Sequence, residues 1–219
     1  ETFGLDPKDV KKKITKKTKA IMPVHFGGCP CKINELKRLA DKYNLILIED
    51  AAESLGAKLK NKKVGTFADA AMFSFCAPKV ITTGEGGAVV TNSNLLYEKL
   101  KLIRSHGRAK MDYITLGYNF RMSTFVAALG IAQLKKINKI LEMKRGNAEY
   151  LTTRLNQEIK EIITPNQQDD YFHVYQLYTI RIKRYRDELK KYLISKGIMT
   201  KIYFSPVHLT KFYKNKYKQ

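Results

Sequence analysis

The chain has 219 residues, of which 44% are hydrophobic and 28% charged, so it can bury a substantial core and is not intrinsically disordered. No apolar run approaches the ~20 residues of a membrane-spanning helix, and we expect no membrane association. The formal net charge of +21 attracts phosphorylated ligands. No nucleic-acid-binding motif accompanies this charge, so nucleic acid is not the expected partner.

Three cysteines, at positions 29, 31 and 76, are an odd number and do not suggest a disulfide framework. This pattern favours a reducing compartment, and we expect the protein to be cytoplasmic. His25 with Cys29 and Cys31 is the one combination that could bind a metal ion. A single Cys-Pro-Cys stretch lacks the second ligand pair of structural zinc sites, so we expect no metal.

The first half of the chain alternates strands and helices. Residues 20–24 form a short extended segment, and from Ile33 to Tyr43 apolar side chains recur at helical spacing. Residues 45–48 (LILI) then predict a strand that is buried on both faces and ends at Asp50. The order strand, helix, strand predicts an α/β fold with a mostly parallel sheet flanked by helices.

Turn signals and apolar runs continue the sheet. A polar hairpin, two further strands and a tight glycine-rich loop are predicted over residues 60–63, 70–75, 88–91 and 84–87. Asn92 or Ser93 caps a helix that ends near Gly107. Ser123 caps a long helix that is broken or bent before Pro165.

The last quarter of the chain changes character. Two strands and one helix are predicted there, over residues 174–182, 200–204 and 186–196. Gly197 ends the helix. Such elements predict a smaller α+β domain, so we place a boundary near residue 160. A large domain, 1–160, then precedes a C-terminal domain, 161–219.

Three polar features follow predicted strand ends. Asp50 ends one strand, residues 74–79 (SFCAPK) end another, and residues 84–87 (GEGG) form the glycine-rich loop. Because ligands bind at the carboxyl ends of parallel strands, we expect Asp50 and Lys79 to face one crevice. An amine, a carboxylate and a phosphate-sized loop are what an aldehyde cofactor needs. Each feature alone is commonplace, and the residues by themselves indicate only an α/β ligand-binding domain.

Several stretches occur in the same order in a known family. They are residues 21–27 (IMPVHFG), 48–57 (IEDAAESLGA), 64–69 (VGTFAD), 73–75 (FSF), Lys79 with 81–87 (ITTGEGG), and 116–122 (LGYNFRM). On these stretches the chain resembles the DegT/DnrJ/EryC1/StrS family of sugar-nucleotide aminotransferases. Residues 175–213, with 206–208 (PVH), are similar to the C-terminal domain of that family.

The resemblance implies an aspartate-aminotransferase-like (fold type I) architecture and pyridoxal 5′-phosphate as cofactor. It implies that Lys79 is the catalytic lysine that bonds to the cofactor, that Asp50 pairs with the pyridinium nitrogen, and that Ser74 binds the phosphate. Glu53 matches a position that packs beside the cofactor ring. Asn119 matches an asparagine that reaches the phosphate in the partner subunit, which implies a homodimer with shared active sites.

Two further residues lie in matching motifs near the site. Arg121 and His208 are therefore weaker candidates for substrate binding, and for Arg121 an ion pair at the dimer contact is an equal alternative. The resemblance implies amino transfer from glutamate to a nucleotide-linked keto-sugar. Glu53 with residues 81–87 is similar to perosamine-synthase-like members, which act on a 4-keto-6-deoxyhexose. A dehydrating group in the family has His in place of lysine, so Lys79 argues against dehydration.

The sequence departs from the family pattern in two respects. Pro78 replaces the Thr or Asn that usually precedes the lysine, and proline lacks a backbone N–H, so we expect weaker cofactor contacts. The family also has a phosphate loop and ring-stacking residues upstream of Glu1. The resemblance thus implies an N-terminally truncated fragment that is inactive by itself. The alternatives are an inactive or regulatory relative and, after it, a basic nucleic-acid-binding module.

Overall fold

A computed structural model describes residues 2–165, 168–204 and 206–217. Within these ranges the helices are α1 (Pro7–Lys13), α2 (Ile33–Lys42), α3 (Asn94–Arg104), α4 (Thr124–Leu134), α5 (Ile137–Glu158), α6 (Arg186–Ser195) and α7 (Lys211–Tyr217). The strands are β1 (Ala20–Ile21), β2 (Ile46–Asp50), β3 (Lys58–Leu59), β4 (Lys62–Lys63), β5 (Ala70–Ser74), β6 (Gly87–Val90), β7 (Arg108–Ala109), β8 (Asp112–Tyr113), β9 (Ile162–Ile163), β10 (Tyr171–Phe172) and β11 (Arg181–Ile182). None of the described helices has the length and apolar character needed to cross a lipid bilayer.

The central sheet has the strand order β1-β2-β5-β6. Strands β1 and β2 are parallel, as are β2 and β5, whereas β6 runs antiparallel to β5. The predicted mostly parallel sheet is therefore confirmed. Asp50 pairs with Met72 in the β2–β5 register, so the carboxyl ends of these two strands lie side by side. This edge of the sheet receives the polar side chains that the sequence places after each strand.

Helix α2 covers one face of this sheet because its apolar side chains share one side. Ile33, Leu36 and Ala40 are buried in one cluster with Ile21 and Leu47 from the sheet. Each fully buried Leu or Ile contributes about 1.5–3 kcal/mol. The helical spacing predicted from Ile33 onward thus becomes the packing that anchors the strand leading to the polar edge.

The predicted hairpin is confirmed and gains a third strand. Lys60 (φ 49°) and Asn61 (φ 63°) are both left-handed, which is the turn geometry that joins two-residue hairpins such as β3–β4. Strand β10 pairs antiparallel with β3, with Tyr171 opposite Leu59. A segment from the last quarter of the chain thus packs directly on the first half.

The predicted helices lie close to their expected bounds. Ser93 caps α3 and Ser123 caps α4, each accepting a backbone N–H three residues on. The long helix is broken as predicted, because α4 ends at Leu134 and α5 begins at Ile137. Helix α1 was not predicted, although Asp6 caps it by accepting from Lys8 N at 2.9 Å.

Two predicted strands are wrong. In residues 174–182 only β11 is a strand, and residues 200–204 have no regular secondary structure. Residues 173–178, which we call the clasp, instead bond to a turn of the first half. Val174 N donates to Gly28 O at 3.0 Å and Leu177 N to Gly27 O at 3.1 Å. The polar and apolar alternation therefore reflects docking onto that turn rather than a sheet. The division near residue 160 stays a prediction.

Candidate active site

The carboxyl edge of the sheet carries most of the predicted site residues. Asp50 ends β2 and Ser74 ends the neighbouring parallel strand β5. Lys79 follows Ser74 in a turn in which its N–H donates to Cys76 O at 3.1 Å. Glu53 follows Asp50 by three residues and contacts Lys79. The chain thus brings an amine, two carboxylates and a hydroxyl to one edge.

Glu53 is the centre of this group. Its side chain is 8% exposed, and its Oε1 lies 3.5 Å from Lys79 Nζ, whose side chain is 15% exposed. Its Oε2 accepts the Gly27 backbone N–H at 2.8 Å. Tyr203 Oη also donates to Oε1. Both oxygens of this buried carboxylate are therefore satisfied, as a buried charge requires.

The glycine-rich loop folds back onto the end of β5. Phe75 N donates to Gly86 O at 2.8 Å, and Thr83 N donates to Phe75 O at 2.8 Å. Among the described residues, the hydrogen bonds of Ser74 Oγ are long, with Cys76 N and Cys76 Sγ at 3.4 Å each. These bonds fix the loop beside the lysine turn while leaving the Ser74 hydroxyl available to a ligand.

Pro78, the residue before the lysine, is fixed through its carbonyl group. Gln176 of the clasp donates its Nε2 hydrogen to Pro78 O. Proline has no N–H to offer, so the lysine turn is held from the carbonyl side instead. Gln176 and Tyr203 were both missed in the sequence, because Gln and Tyr side chains carry no signal of which distant segment they contact.

Gly28 is the point where the clasp meets the turn below Glu53. Its φ of 95° is a conformation that side chains disfavour, and a Cβ there would lie 2.7 Å from Val174 Cγ2 and 2.9 Å from Gln176 N. We expect Gly28→Ala to lower the free energy of unfolding by about 2–4 kcal/mol, measured by urea denaturation. The matched control is Gly146→Ala in α5, where the added Cβ meets no atom within 4 Å. This substitution is expected to raise the free energy of unfolding by about 0.5–1 kcal/mol. Equal stability of the two variants would refute this packing.

Glu49 lies beneath the site and is fully buried. Its carboxylate accepts hydrogen bonds from Gly65 N (2.7 Å), Phe67 N (2.8 Å) and Ala68 N (3.1 Å), and from His25 Nε2 (3.0 Å). Burial opposes ionisation, but the bonds from His25, Gly65 and Phe67 outweigh it and lower the pKa of the Glu49 carboxyl group. An ionised Glu49 therefore ties the loop after β4 to the strand that carries Asp50.

The His25 imidazole has both ring nitrogens engaged. Nδ1 accepts the Cys31 N–H at 3.0 Å, so Nε2 is the nitrogen that donates to Glu49. Burial raises the pKa of Cys29 to about 11 and that of Cys31 to about 12, which keeps both as thiols. This arrangement favours a structural role for the motif. No cluster of three or more metal-binding side chains occurs in the part of the chain that the structure describes.

Three predicted site residues make no hydrogen bond or ion pair with this group in the described part of the chain. Asn119 forms a backbone bridge with Ser105, Arg121 is exposed before α4, and His208 is exposed in a short 3-10 turn. Across the described ranges no hydrogen bond or ion pair joins any of them to Lys79. Their roles in substrate binding or in a partner subunit stay predictions.

Comparison with known proteins identifies the family of the chain. The DegT/DnrJ/EryC1/StrS aminotransferase family matches residues 1–219. The chain is similar to the GDP-perosamine synthase of Escherichia coli O157:H7, with 40% identity over 224 residues that cover 100% of this chain and 61% of that protein.

Solved structures show the same relationship. Helicobacter pylori PseC, an aminotransferase involved in the biosynthesis of pseudoaminic acid, has 34% identity and a TM-score of 0.90, covering 99% of this chain and 60% of its own. S. venezuelae DesV, in complex with a ketimine intermediate, has 35% identity and a TM-score of 0.89, covering 97% and 58%. The chain thus spans about 60% of the length of its relatives.

These likenesses confirm the predicted fold type I architecture. The family match covers the whole chain. It therefore includes the central sheet, the lysine turn after β5 and the acidic end of β2. The chain belongs to the DegT/DnrJ/EryC1/StrS aminotransferase family.

Proposed function

We propose that this chain is the cofactor-binding part of a pyridoxal-phosphate aminotransferase that acts on a nucleotide-linked keto-sugar. The observation that carries the proposal is the contact of Lys79 with Glu53 at the carboxyl edge of the sheet, next to Asp50. A mostly buried lysine amine at this edge is unusual for a lysine-rich chain, since lysine side chains are normally exposed. Because the chain belongs to an aminotransferase family, we infer that this amine is the one that bonds to the cofactor.

The residues present fit the cofactor. Asp50 Oδ1 accepts one bond, from Ala52 N at 3.1 Å, and no other side-chain bond engages this carboxylate in the described residues. An oxygen is therefore free to accept a bond from a protonated ring nitrogen. The Ser74 hydroxyl, with its long contacts, suits a phosphate. Asp50, Ser74 and Lys79 would thus hold the ring, the phosphate and the aldehyde.

The chemistry divides between the cofactor and this chain. When bound, pyridoxal phosphate supplies an aldehyde that bonds to amines and a protonated ring that withdraws electrons. The Nζ atom of Lys79 moves the proton released from the α-carbon of the amino donor. The Asp50 carboxylate would accept a hydrogen bond from the ring nitrogen of the bound cofactor. Glu53 orients the lysine through its contact with Nζ.

The proposed substrates are glutamate as amino donor and a nucleotide-linked 4-keto-6-deoxyhexose as acceptor. The name of the E. coli relative, a GDP-perosamine synthase, supports an acceptor of this class. The name of the H. pylori relative, an aminotransferase of pseudoaminic acid biosynthesis, supports sugar amination more generally. The net charge of +21 favours an acceptor that carries a diphosphate.

We also propose that the protein works as a homodimer with shared active sites. Helix α4 supports this proposal because it is apolar on all sides, yet none of its residues is buried. Phe125 in this helix is 90% exposed. Exposed apolar surface of this kind marks an interaction site. Asn119 and Arg121 lie just before this helix, where a partner subunit could reach them.

Reductive trapping tests the proposed function. Borohydride treatment of the purified protein with pyridoxal phosphate is expected to leave a pyridoxyl adduct on the peptide containing Lys79, detected by mass spectrometry. Lys144 is the matched competitor, because burial lowers the pKa of its amine, which makes it a chemically reactive lysine elsewhere in the fold. Lys144 Nζ donates to Tyr175 O at 3.4 Å and, in the described part of the chain, is bonded to neither Asp50 nor Ser74, so Lys144→Ala is expected to keep the adduct.

The outcomes separate the alternatives. An adduct that maps to Lys144 or to scattered surface lysines would contradict the proposed site. No adduct and no visible-range absorbance would favour an inactive or regulatory relative. Salt-sensitive retention of nucleic acid without any adduct would favour the basic binding module.

A further inference from the structure

Tyr203 reaches the site from a segment far along the chain. It lies in residues 200–204, which have no regular secondary structure, and its Oη donates to Glu53 Oε1 across a separation of 150 residues. Lys79 Nζ lies 3.5 Å from the same oxygen. One carboxylate oxygen is thus shared by a phenol and an amine.

The phenol is held in place by aromatic packing. Its ring meets Phe26 edge-on, at 5.4 Å between centroids and 80° between planes, and also contacts Phe204 at 4.6 Å. Phe26 directly precedes Gly27, whose N–H fixes the other oxygen of Glu53. The same short turn therefore positions both the carboxylate and the ring that donates to it.

The phenol of Tyr203 is a lasting hydrogen-bond donor. Burial, together with the bond to Glu53, raises the pKa of Tyr203 well above its usual range, so its hydroxyl keeps its proton. A carboxylate that has no other donor attracts a neighbouring basic side chain more strongly, and that attraction holds the side chain away from other partners. A second donor on Oε1 satisfies part of that negative charge.

We propose that Tyr203 is a positioning residue: by donating to Glu53 Oε1 it weakens the contact of that oxygen with Lys79 Nζ and leaves the lysine free to reach an aldehyde. This inference rests on the proposed function, in which Lys79 must react with an aldehyde. It assigns the last quarter of the chain a direct part in setting the reactivity of the lysine. Asp50 and Cys76, the other titratable groups that influence Tyr203 electrostatically, are left unchanged in the test.

The test is a double-variant cycle. Tyr203→Phe removes the hydroxyl and keeps the ring, so Glu53 is expected to pair more closely with Lys79. The rate of pyridoxal phosphate capture, measured by absorbance, is then expected to fall about tenfold. Adding Glu53→Gln removes the charge that pairs with the lysine, and capture is expected to return to within about threefold of the parent. The control Tyr192→Phe, at a tyrosine of α6 that is 59% exposed, is expected to change nothing.

Two results would overturn the proposal. The first is capture by Tyr203→Phe at the parental rate. The second is slow capture that Glu53→Gln does not restore, because a phenol that merely supports the fold would not be bypassed by removing a charge. Thermal unfolding of each variant, compared with its parent, shows whether folding has been lost.

A second readout needs no cofactor and so separates this inference from the proposed function. Acetic anhydride modifies free amines, and mass mapping gives the labelling rate of Lys79 relative to the exposed Lys196. We expect this ratio to fall about tenfold in Tyr203→Phe and to recover in the double variant. An unchanged ratio refutes the role of Tyr203 even if pyridoxal phosphate never binds. A changed ratio without pyridoxal phosphate capture leaves the role of Tyr203 standing and refutes only the aminotransferase proposal.

Discussion

Replacing Lys79 with alanine is expected to reduce amino transfer by at least about a thousandfold, because the residue is proposed both to bond to the cofactor and to move the proton. The fold is expected to survive, since Glu53 keeps the Gly27 N–H and the Tyr203 hydroxyl as partners. Transfer from glutamate to a nucleotide-linked keto-sugar by the full-length protein, followed by mass spectrometry of the aminated product, measures the effect.

The control for this loss is Lys144→Ala, which removes a half-buried lysine whose amine donates to Tyr175 O of the clasp. It is expected to retain activity within about threefold of the parent, because no hydrogen bond or ion pair among the described residues joins Lys144 to a proposed site residue. Lys79→Arg places a long basic side chain near Glu53 but cannot form the cofactor bond, so it is expected to be as inactive as Lys79→Ala. Undiminished turnover by either Lys79 variant would disprove the mechanism.

Substituting Glu49 with glutamine is expected to cost about 3–5 kcal/mol of unfolding free energy. The carboxylate accepts four hydrogen bonds in a fully buried position, three from backbone N–H groups and one from His25. Glutamine keeps the shape but replaces one accepting oxygen with a donating NH₂ group, which then faces other donors. Guanidinium chloride denaturation of parent and variant at neutral pH measures the difference.

The effect of Glu49 depends on pH in a defined direction. The pKa of Glu49 in the folded state lies below the ordinary 4.5. Its contribution to the free energy of unfolding is therefore complete above pH 4.5 and is lost as the pH falls through the folded-state pKa. The stability gap between parent and Glu49→Gln is therefore expected to narrow only in acid. His173 adds a separate loss between pH 6.5 and about 4, because burial and Arg145 lower its pKa to about 4. The contribution of Glu49 is therefore obtained from the difference in unfolding free energy between the parent and Glu49→Gln at each pH.

Glu98→Gln provides the surface comparison. Glu98 pairs with Lys101 one helical turn away, and both side chains are about half exposed. Exposed pairs of this kind contribute little, so the change is expected to stay below about 0.5 kcal/mol. A loss at Glu49 no larger than that at Glu98 would show that the buried hydrogen bonds do not hold the loop after β4.

The strand ends of the site could be predicted because their signals are local. A run such as LILI followed by Asp50 reads as a buried strand that opens onto a polar edge, and the sequence after β5 has the same form up to Lys79. Parallel pairing then brings the two ends together without further information. Ser93 and Ser123 were predictable as helix caps for the same reason, since the bond that each makes spans three residues.

The long-range contacts of the site were not predictable. Tyr203 is one of 13 tyrosines, and nothing near it in sequence indicates a bond to Glu53. The clasp was predicted as a strand because its polar and apolar residues alternate. His173 and Val174 are buried and residues 175–178 are half-buried because the segment docks on a turn. Local periodicity reports which side chains are covered, and it does not report which part of the chain covers them.

The Glu53 carboxylate has a consequence for the order of events during folding. Its partners lie in stretches that are 26 and 150 residues away, and the widest of these closures cannot form until most of the chain is ordered. Closing larger loops costs more conformational entropy, so contacts of this span arise late. The helices and the sheet are thus in place before the Lys79 amine acquires its surroundings. A chain that refolds from denaturant is therefore expected to regain its secondary-structure signal before Lys79 regains its reactivity.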